Sequence, residues 1–197
     1  FYNTSTGMEF IIPSNLTYQD MPEIWEDWLV YQSYEDDNFE IHLFNLSTGN
    51  DIRITNDQVN QVKPKIWGNW VVWQEGDDWE TDHGVSLYNI RTGNMTRIGS
   101  SLSAKSPDIW EDRVAWDEYT TGDGNFDIFY YNITTGNLTQ VTTDPFAQIS
   151  PTVWGDRIVW LDNRDVSSQI YLFDIASGNE TRLTEGDYYR ENPVVSG

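Results

Sequence analysis

The residues in this chain best suited to chemistry are carboxylates, and they gather in four stretches. These are Glu35-Asp36-Asp37-Asn38, Glu75 to His83, Asp117 to Asn125, and Asp162 to Asp165. Asp123, Asn125 and Asp127 alternate as the oxygen ligands of a bound Ca²⁺ do, so Ca²⁺ is the cofactor this pattern raises. The sixth and twelfth places of that run hold Ile128 and Thr134, where an EF-hand needs Gly and Glu. A solvated acidic face is therefore the favoured reading of these stretches. His83 could bind a metal together with Asp77, Asp78 or Glu80. Trp79 lies in the same stretch and is the aromatic best placed for contact with an exposed ligand. The other histidine, His42, reads as a surface or packing residue of a strand. No Gly-x-Ser-x-Gly elbow occurs, and paired acids are too common here to indicate glycoside hydrolysis without geometry. The expectation is a protein that is not an enzyme.

A second set of candidates concerns modification. Asn3, Asn15, Asn45, Asn94, Asn132, Asn137 and Asn179 each open an Asn-x-Ser/Thr sequon. All but Asn15 flank a Gly-containing turn. Glycosylation of an exported protein is one reading. The other is that Asn suits turns and Thr suits strands, so a repeated hairpin generates such triplets by itself.

The elements that must position these residues form a repeat. Pro22-Glu23-Ile24-Trp25 recurs as Pro64-Lys65-Ile66-Trp67, Pro107-Asp108-Ile109-Trp110 and Pro151-Thr152-Val153-Trp154, and a fifth copy opens at Pro193-Val194-Val195. In the third copy, Asp108-Ile109-Trp110 and Arg113 to Trp116 read as strands around a two-residue turn. A polar loop from Asp117 to Asn125 follows, then strands at Asp127–Tyr131 and Thr139–Thr142 around Thr134-Thr135-Gly136-Asn137. Four short antiparallel strands in each repeat, with no 3.6-residue apolar period, indicate an all-β fold and a β-propeller. The chain reads as a single domain over 1–197, with blades at about 20–61, 62–104, 105–148 and 149–190. Residues 1–17 and 191–197 would supply parts of a split fifth blade. The recurring tryptophans Trp25, Trp67, Trp110 and Trp154, and the later Trp73, Trp116 and Trp160, are expected to pack between blades.

Composition narrows the function. Eleven Lys and Arg stand against 32 Asp and Glu, a formal charge of −21, which disfavours nucleic acid and anionic lipid as partners. No apolar run approaches the ~20 residues of a membrane-spanning helix, so no membrane insertion is expected. Cysteine is absent, which removes disulfides and thiolate metal sites. The chain opens on Phe1 and reads as a mature product or a fragment.

Pro151 to Trp160, Gln169 to Asp174 and Glu180 to Thr184 resemble the TolB-like β-propeller repeats, particularly those of archaeal cell-surface and surface-layer proteins. In such repeats an acidic residue commonly opens the third strand. Glu40 and Asp127 fit this pattern, whereas Gly84 and Gln169 depart from it. The resemblance implies an extracellular or cell-surface structural or adhesive propeller whose partners are like subunits or other envelope proteins. Strand completion between subunits could then build a sheath, layer or filament. The alternatives are a carbohydrate- or peptide-binding module, and a propeller glycosidase or peptidase-associated domain, because this fold carries all of these functions.

Overall fold

A computed structural model of the chain describes residues 2–3, 8–9, 18–76, 84–99, 103–122, 124–188 and 190–196. A short hairpin, β1 (Tyr2–Asn3) against β2 (Met8–Glu9), precedes four antiparallel four-stranded sheets. Blade 1 contains β3 (Tyr18–Trp25), β4 (Trp28–Glu35), β5 (Asn38–Asn45) and β6 (Asp51–Arg53). Blade 2 follows with β7 (Gln61–Trp67), β8 (Trp70–Glu75), β9 (Gly84–Asn89) and β10 (Met95–Arg97). Next come β11 (Ala104–Trp110), β12 (Arg113–Thr120), β13 (Asn125–Asn132) and β14 (Asn137–Gln140) of blade 3. Blade 4 is β15 (Gln148–Trp154), β16 (Arg157–Asp162), β17 (Gln169–Asp174) and β18 (Asn179–Arg182). Each blade is a meander in chain order, with its first strand innermost. Among the described residues there is no helix, and therefore none long and apolar enough to cross a membrane.

Period-two alternation sends successive side chains to opposite faces, and in blades 2 and 3 both faces are covered by neighbouring blades. Val114 and Trp116 pack with Val72, Val85 and Leu87 of blade 2, while Ala115 packs with Val153, Ile158 and Trp160 of blade 4. Val30, Ile41 and Leu43 meet Ile66, Val71 and Trp73 in the same way. The core is thus a series of apolar layers between blades, as the repeat predicts.

The hairpin turn between third and fourth strands is made by one device. Gly49, Gly93, Gly136 and Gly178 all sit at φ between 71° and 73°, a conformation only Gly adopts without steric cost. Four residues earlier, Asn45, Asn89, Asn132 and Asp174 each accept a hydrogen bond from the backbone N–H of Thr48, Thr92, Thr135 or Ser177. These turns lie at the same end of each blade as the turn between first and second strands. Leu46, Ile90, Ile133 and Ile175 donate their N–H to Asp27, Asn69, Asp112 and Asp156, respectively.

The strands run further than the sequence indicates. The third blade's acidic stretch was expected to be loop from Asp117 to Asn125, yet β12 carries Asp117 and Glu118 as buried strand residues. Residues 1–17 and 191–197 were expected to supply a split fifth blade. Among the described residues, β1 and β2 pair only with each other, and residues 190–196 join no ladder.

Candidate functional site

Every innermost strand is interrupted at the residue before its proline. Met21, Lys63, Ser106 and Ser150 take positive φ values of 49°, 54°, 54° and 54°, and the register with the second strand shifts there. The insertion is a β-bulge, and proline suits it because no ladder N–H is needed at that place. A left-handed non-Gly residue costs about 1–2 kcal/mol, so something must hold it. In blades 2 to 4 a side chain of the preceding blade does so. Lys63 N–H donates to Gln32 Oε1 at 2.8 Å, Ser106 N–H to Gln74 Oε1 at 3.2 Å, and Ser150 N–H to Asp117 Oδ1 at 3.0 Å.

These bulges surround a central cavity of ≈ 800 Å³, whose charged lining is Asp20, Glu23, Lys63, Lys65 and Asp108. Lys65 Nζ is paired with a Glu23 carboxylate oxygen across the blade boundary. Asp108 Oδ2 accepts the Val153 N–H at 2.8 Å, and burial raises its pKa despite that bond. Glu23 and Asp108 on this wall therefore tie blades together, and the remaining polar surface can meet a ligand bearing both charge and apolar area. At the turn end of the axis, Trp25, Trp67, Trp110 and Trp154 form a continuous half-buried row, with ring centroids 3.8, 3.8 and 4.9 Å apart. They pack from blade to blade as expected. The fully buried aromatics are the second-strand residues Tyr31, Trp73, Trp116 and Trp160.

The favoured reading of the acidic stretches, a solvated face, holds only in part. Asp117, Asp127 and Asp162 are fully buried. Asp127 accepts hydrogen bonds from Thr120 Oγ1, Gln140 Nε2 and Thr142 Oγ1, at 2.8, 3.2 and 3.0 Å. These donors bind an anion and take up the lone pairs that Ca²⁺ would need. Asn125 donates to the Asp144 carbonyl at 3.3 Å. Asp123, Trp79 and His83 lie outside the described residues, so the Ca²⁺ triad and the His83 site are represented here only by Asn125 and Asp127. Among the described residues no group of three His, Cys, Asp or Glu side chains converges as a metal site.

Glu40 occupies the place of Asp127 in blade 1 and pairs with Arg53 at 2.8 Å. In blade 2 that place is Gly84, where a Cβ would collide with the guanidinium of Arg97, the counterpart of Arg53. The space that a side chain would take at Gly84 is thus filled by the Arg97 guanidinium.

Sequence reasoning missed two clusters. His42 is buried, the packing alternative of its two readings, but in a polar cluster. Its Nε2 lies 2.5 Å from Glu35 Oε1 and its Nδ1 3.3 Å from Asp51, while Tyr31 OH donates to Asp51 at 2.8 Å. Burial alone would lower the His42 pKa, but hydrogen bonds to Asp51 and Glu35 outweigh it and raise it. Arg53 closes the cluster through Glu35 at 3.1 Å. In blade 4, Arg164 grips Asp162 through Nε at 2.8 Å and Nη2 at 2.6 Å, reaches Glu180 at 2.8 Å and lies over the Tyr171 ring. The available signal was a departure from the repeat: His42 stands where the other blades have Ser86, Phe129 and Tyr171.

Of the sequon asparagines, Asn45 and Asn132 are half-buried, and Asn94, Asn137 and Asn179 are exposed at the start of the outermost strand. Asn3 lies in β1, and Asn15 falls outside the described residues.

Four sheets set around a common cavity, with Trp73, Trp116 and Trp160 of blades 2 to 4 each packed against the preceding blade, define a β-propeller. Solved structures share that fold. TolB from Acinetobacter baumannii matches with a TM-score of 0.59 at 16% identity, over 94% of this chain and 48% of that one. A puromycin-hydrolyzing peptidase of Mycobacterium tuberculosis matches with a TM-score of 0.66 at 13% identity, covering 92% of this chain and 30% of that one. An oligogalacturonate lyase from Vibrio parahaemolyticus matches at 0.61 and 13% identity, over 81% and 50% of the two chains. The fold is TolB-like, and this chain spans half or less of the length of each of these three proteins. No family model and no curated protein matches the sequence.

Proposed function

We propose that this chain is a propeller module of a cell envelope, extracellular and acting by contact with like subunits or neighbouring surface proteins. The observation that carries this reading is the seating of the fifth repeat. Asn192 adopts the bulge conformation of its four predecessors at φ 48°, Pro193 is buried, and the Pro193 carbonyl accepts a hydrogen bond from Thr152 Oγ1 at 3.3 Å. The segment shares a pocket of ≈ 330 Å³ with Val159, Ile170, Leu172 and Leu183. Val159, Ile170 and Leu172 are the counterparts of Val30, Ile41 and Leu43, which blade 1 presses against blade 2. Leu183 and Val194 remain 51% and 82% exposed. A strand laid beside Val194–Ser196 would cover this apolar face, and a like subunit is the proposed source. The sequons and the net charge of −21 fit an exported, soluble surface. Light scattering over a hundredfold concentration range is expected to show association that Val194→Lys weakens. A monomer at every concentration, with residues 192–196 paired inside their own ring, ends the reading.

The central cavity favours a second reading, a carbohydrate- or peptide-binding module. Its volume falls within the ~300–1,000 Å³ of small-ligand sites, and Lys63 adds a cation beside Asp20. A glycan and peptide array bound by the wild type and lost in Lys63→Ala supports it; a blank array excludes it.

A further inference from the structure

Three consecutive blades present the same triplet at the same place. Asn94-Met95-Thr96, Asn137-Leu138-Thr139 and Asn179-Glu180-Thr181 each begin immediately after the left-handed Gly of the outer hairpin and run into the outermost strand. All nine residues are exposed. Period two places the Asn and the Thr of each triplet on the same side of the extended chain. The asparagine's backbone makes the turn, so its side-chain amide is left to solvent: Asn94 N–H and Asn137 N–H donate to Thr92 Oγ1 and Thr135 Oγ1.

Asn132 carries the same motif in a different setting. Its Oδ1 caps the Thr135 N–H at 2.8 Å, and its Nδ2 donates to Asp112 Oδ2 at 3.1 Å and to Tyr130 OH at 3.3 Å. Attaching a sugar to that nitrogen removes one of these bonds and forces bulk against the neighbouring turn. The structure thus divides a set of sequons that the sequence presents as equivalent.

We propose that Asn94, Asn137 and Asn179 are N-glycan acceptors forming a continuous rim on blades 2 to 4, and that Asn132 is not. The inference rests on the export assumed above. The donor is a lipid-linked glycosyl phosphate. The asparagine Nδ2 forms a bond to the anomeric carbon, the glycosyl–phosphate bond breaks, the phosphate leaves with the electron pair, and the amide loses one proton. Each sugar would stand at or just before the first residue of an outermost strand, where bulk blocks the edge-to-edge pairing that an exposed strand edge invites.

The test is secretion of the whole chain from a eukaryotic host behind an added signal peptide, followed by glycopeptide mass spectrometry of the folded product. Sugar is expected on Asn94, Asn137 and Asn179, with Asn132 occupied at least fivefold less. Thr96→Ala, Thr139→Ala and Thr181→Ala should each remove one glycan and leave the circular dichroism spectrum unchanged. Three bare sites, or Asn132 occupied as fully as the others, overturn the proposal. Sites filled in this host but bare on protein from its native cells would uphold the acceptor geometry and remove the envelope reading instead.

Discussion

Blade 1 and blades 2 to 4 solve one problem in two ways. Each buries a large aromatic with a polar tip in its second strand, and a buried polar tip needs a partner. In blades 2, 3 and 4 the indole Nε1 of Trp73, Trp116 and Trp160 donates to the carboxylate two residues on, Glu75, Glu118 and Asp162, at 3.0, 2.8 and 2.9 Å. The partner lies on the same strand and the same face, so the pair is complete within three residues. In blade 1 the aromatic is Tyr31 and the residue two on is Ser33. Its hydroxyl reaches across two strands to Asp51, and His42, opposite Tyr31 in the ladder, joins Asp51 to Glu35. The backbone is the same in both cases. What differs is whether the polar network is local or spans the sheet, and the second kind makes blade 1 sensitive to pH.

The comparison breaks most severely at the local pairs. Trp116→Ala removes a fully buried side chain and leaves a cavity between blades 2 and 3. It is expected to cost about 3–5 kcal/mol in urea unfolding. A loss under about 1 kcal/mol would mean that blade packing does not depend on these indoles.

Next in size is Asp117, the acid that stands where blades 1 and 2 have Gln32 and Gln74. Complete burial pushes its pKa up to about 6, against the Ser150 N–H that it accepts. A carboxyl with a raised folded-state pKa gives its full stability below about 3.8, and this is lost as pH climbs through about 6. Asp117→Gln keeps the acceptor for the bulge and removes the charge. It should stabilise the protein at pH 7.5 by about 2–3 kcal/mol, with no gain at pH 3.5. Equal effects at the two pH values would show that the carboxyl is not titrating.

In blade 1 the sign comes from His42. Its pKa is raised above 6.5, so the stability it supplies is whole below that pH and fades as pH rises through the folded-state value. His42→Phe, the residue of blade 3, should flatten this slope. An NMR titration of the ring showing no upward shift would remove the network from the account. Tyr31→Phe is the mildest of the four, at about 1–2 kcal/mol, because Asp51 keeps His42 as a partner.

Much of this architecture was legible in the sequence. The Pro-x-x-Trp spacing gave the blade count, and the turn glycines gave the third-to-fourth-strand hairpins. The buried positions Trp73, Trp116 and Trp160 followed from period. What escaped were features that depend on contacts between strands. Nothing local marks Lys63 or Ser106 as left-handed, because the acceptor that stabilises such a residue comes from the neighbouring blade. Asp117 and Asp127 read as solvated because their donors arrive from other strands or loops, whereas Asp162 read so although its donors, Trp160 and Arg164, stand only two residues away. His42 read as an ordinary strand residue because Glu35 and Asp51 lie on the strands flanking it. Gly84 looked like a break in the family pattern until Arg97 was seen to occupy the space that an acid would fill.

The row of four indoles at the turn end of the axis has an optical consequence. Chromophores this close share their excited states, so the row should give an exciton couplet in the ultraviolet and quench its own fluorescence. The separation widens from 3.8 Å to 4.9 Å towards Trp154. That last gap makes the row a built-in spectroscopic gauge: when the ring is sprung open or clamped shut, the couplet should weaken or strengthen without any added label.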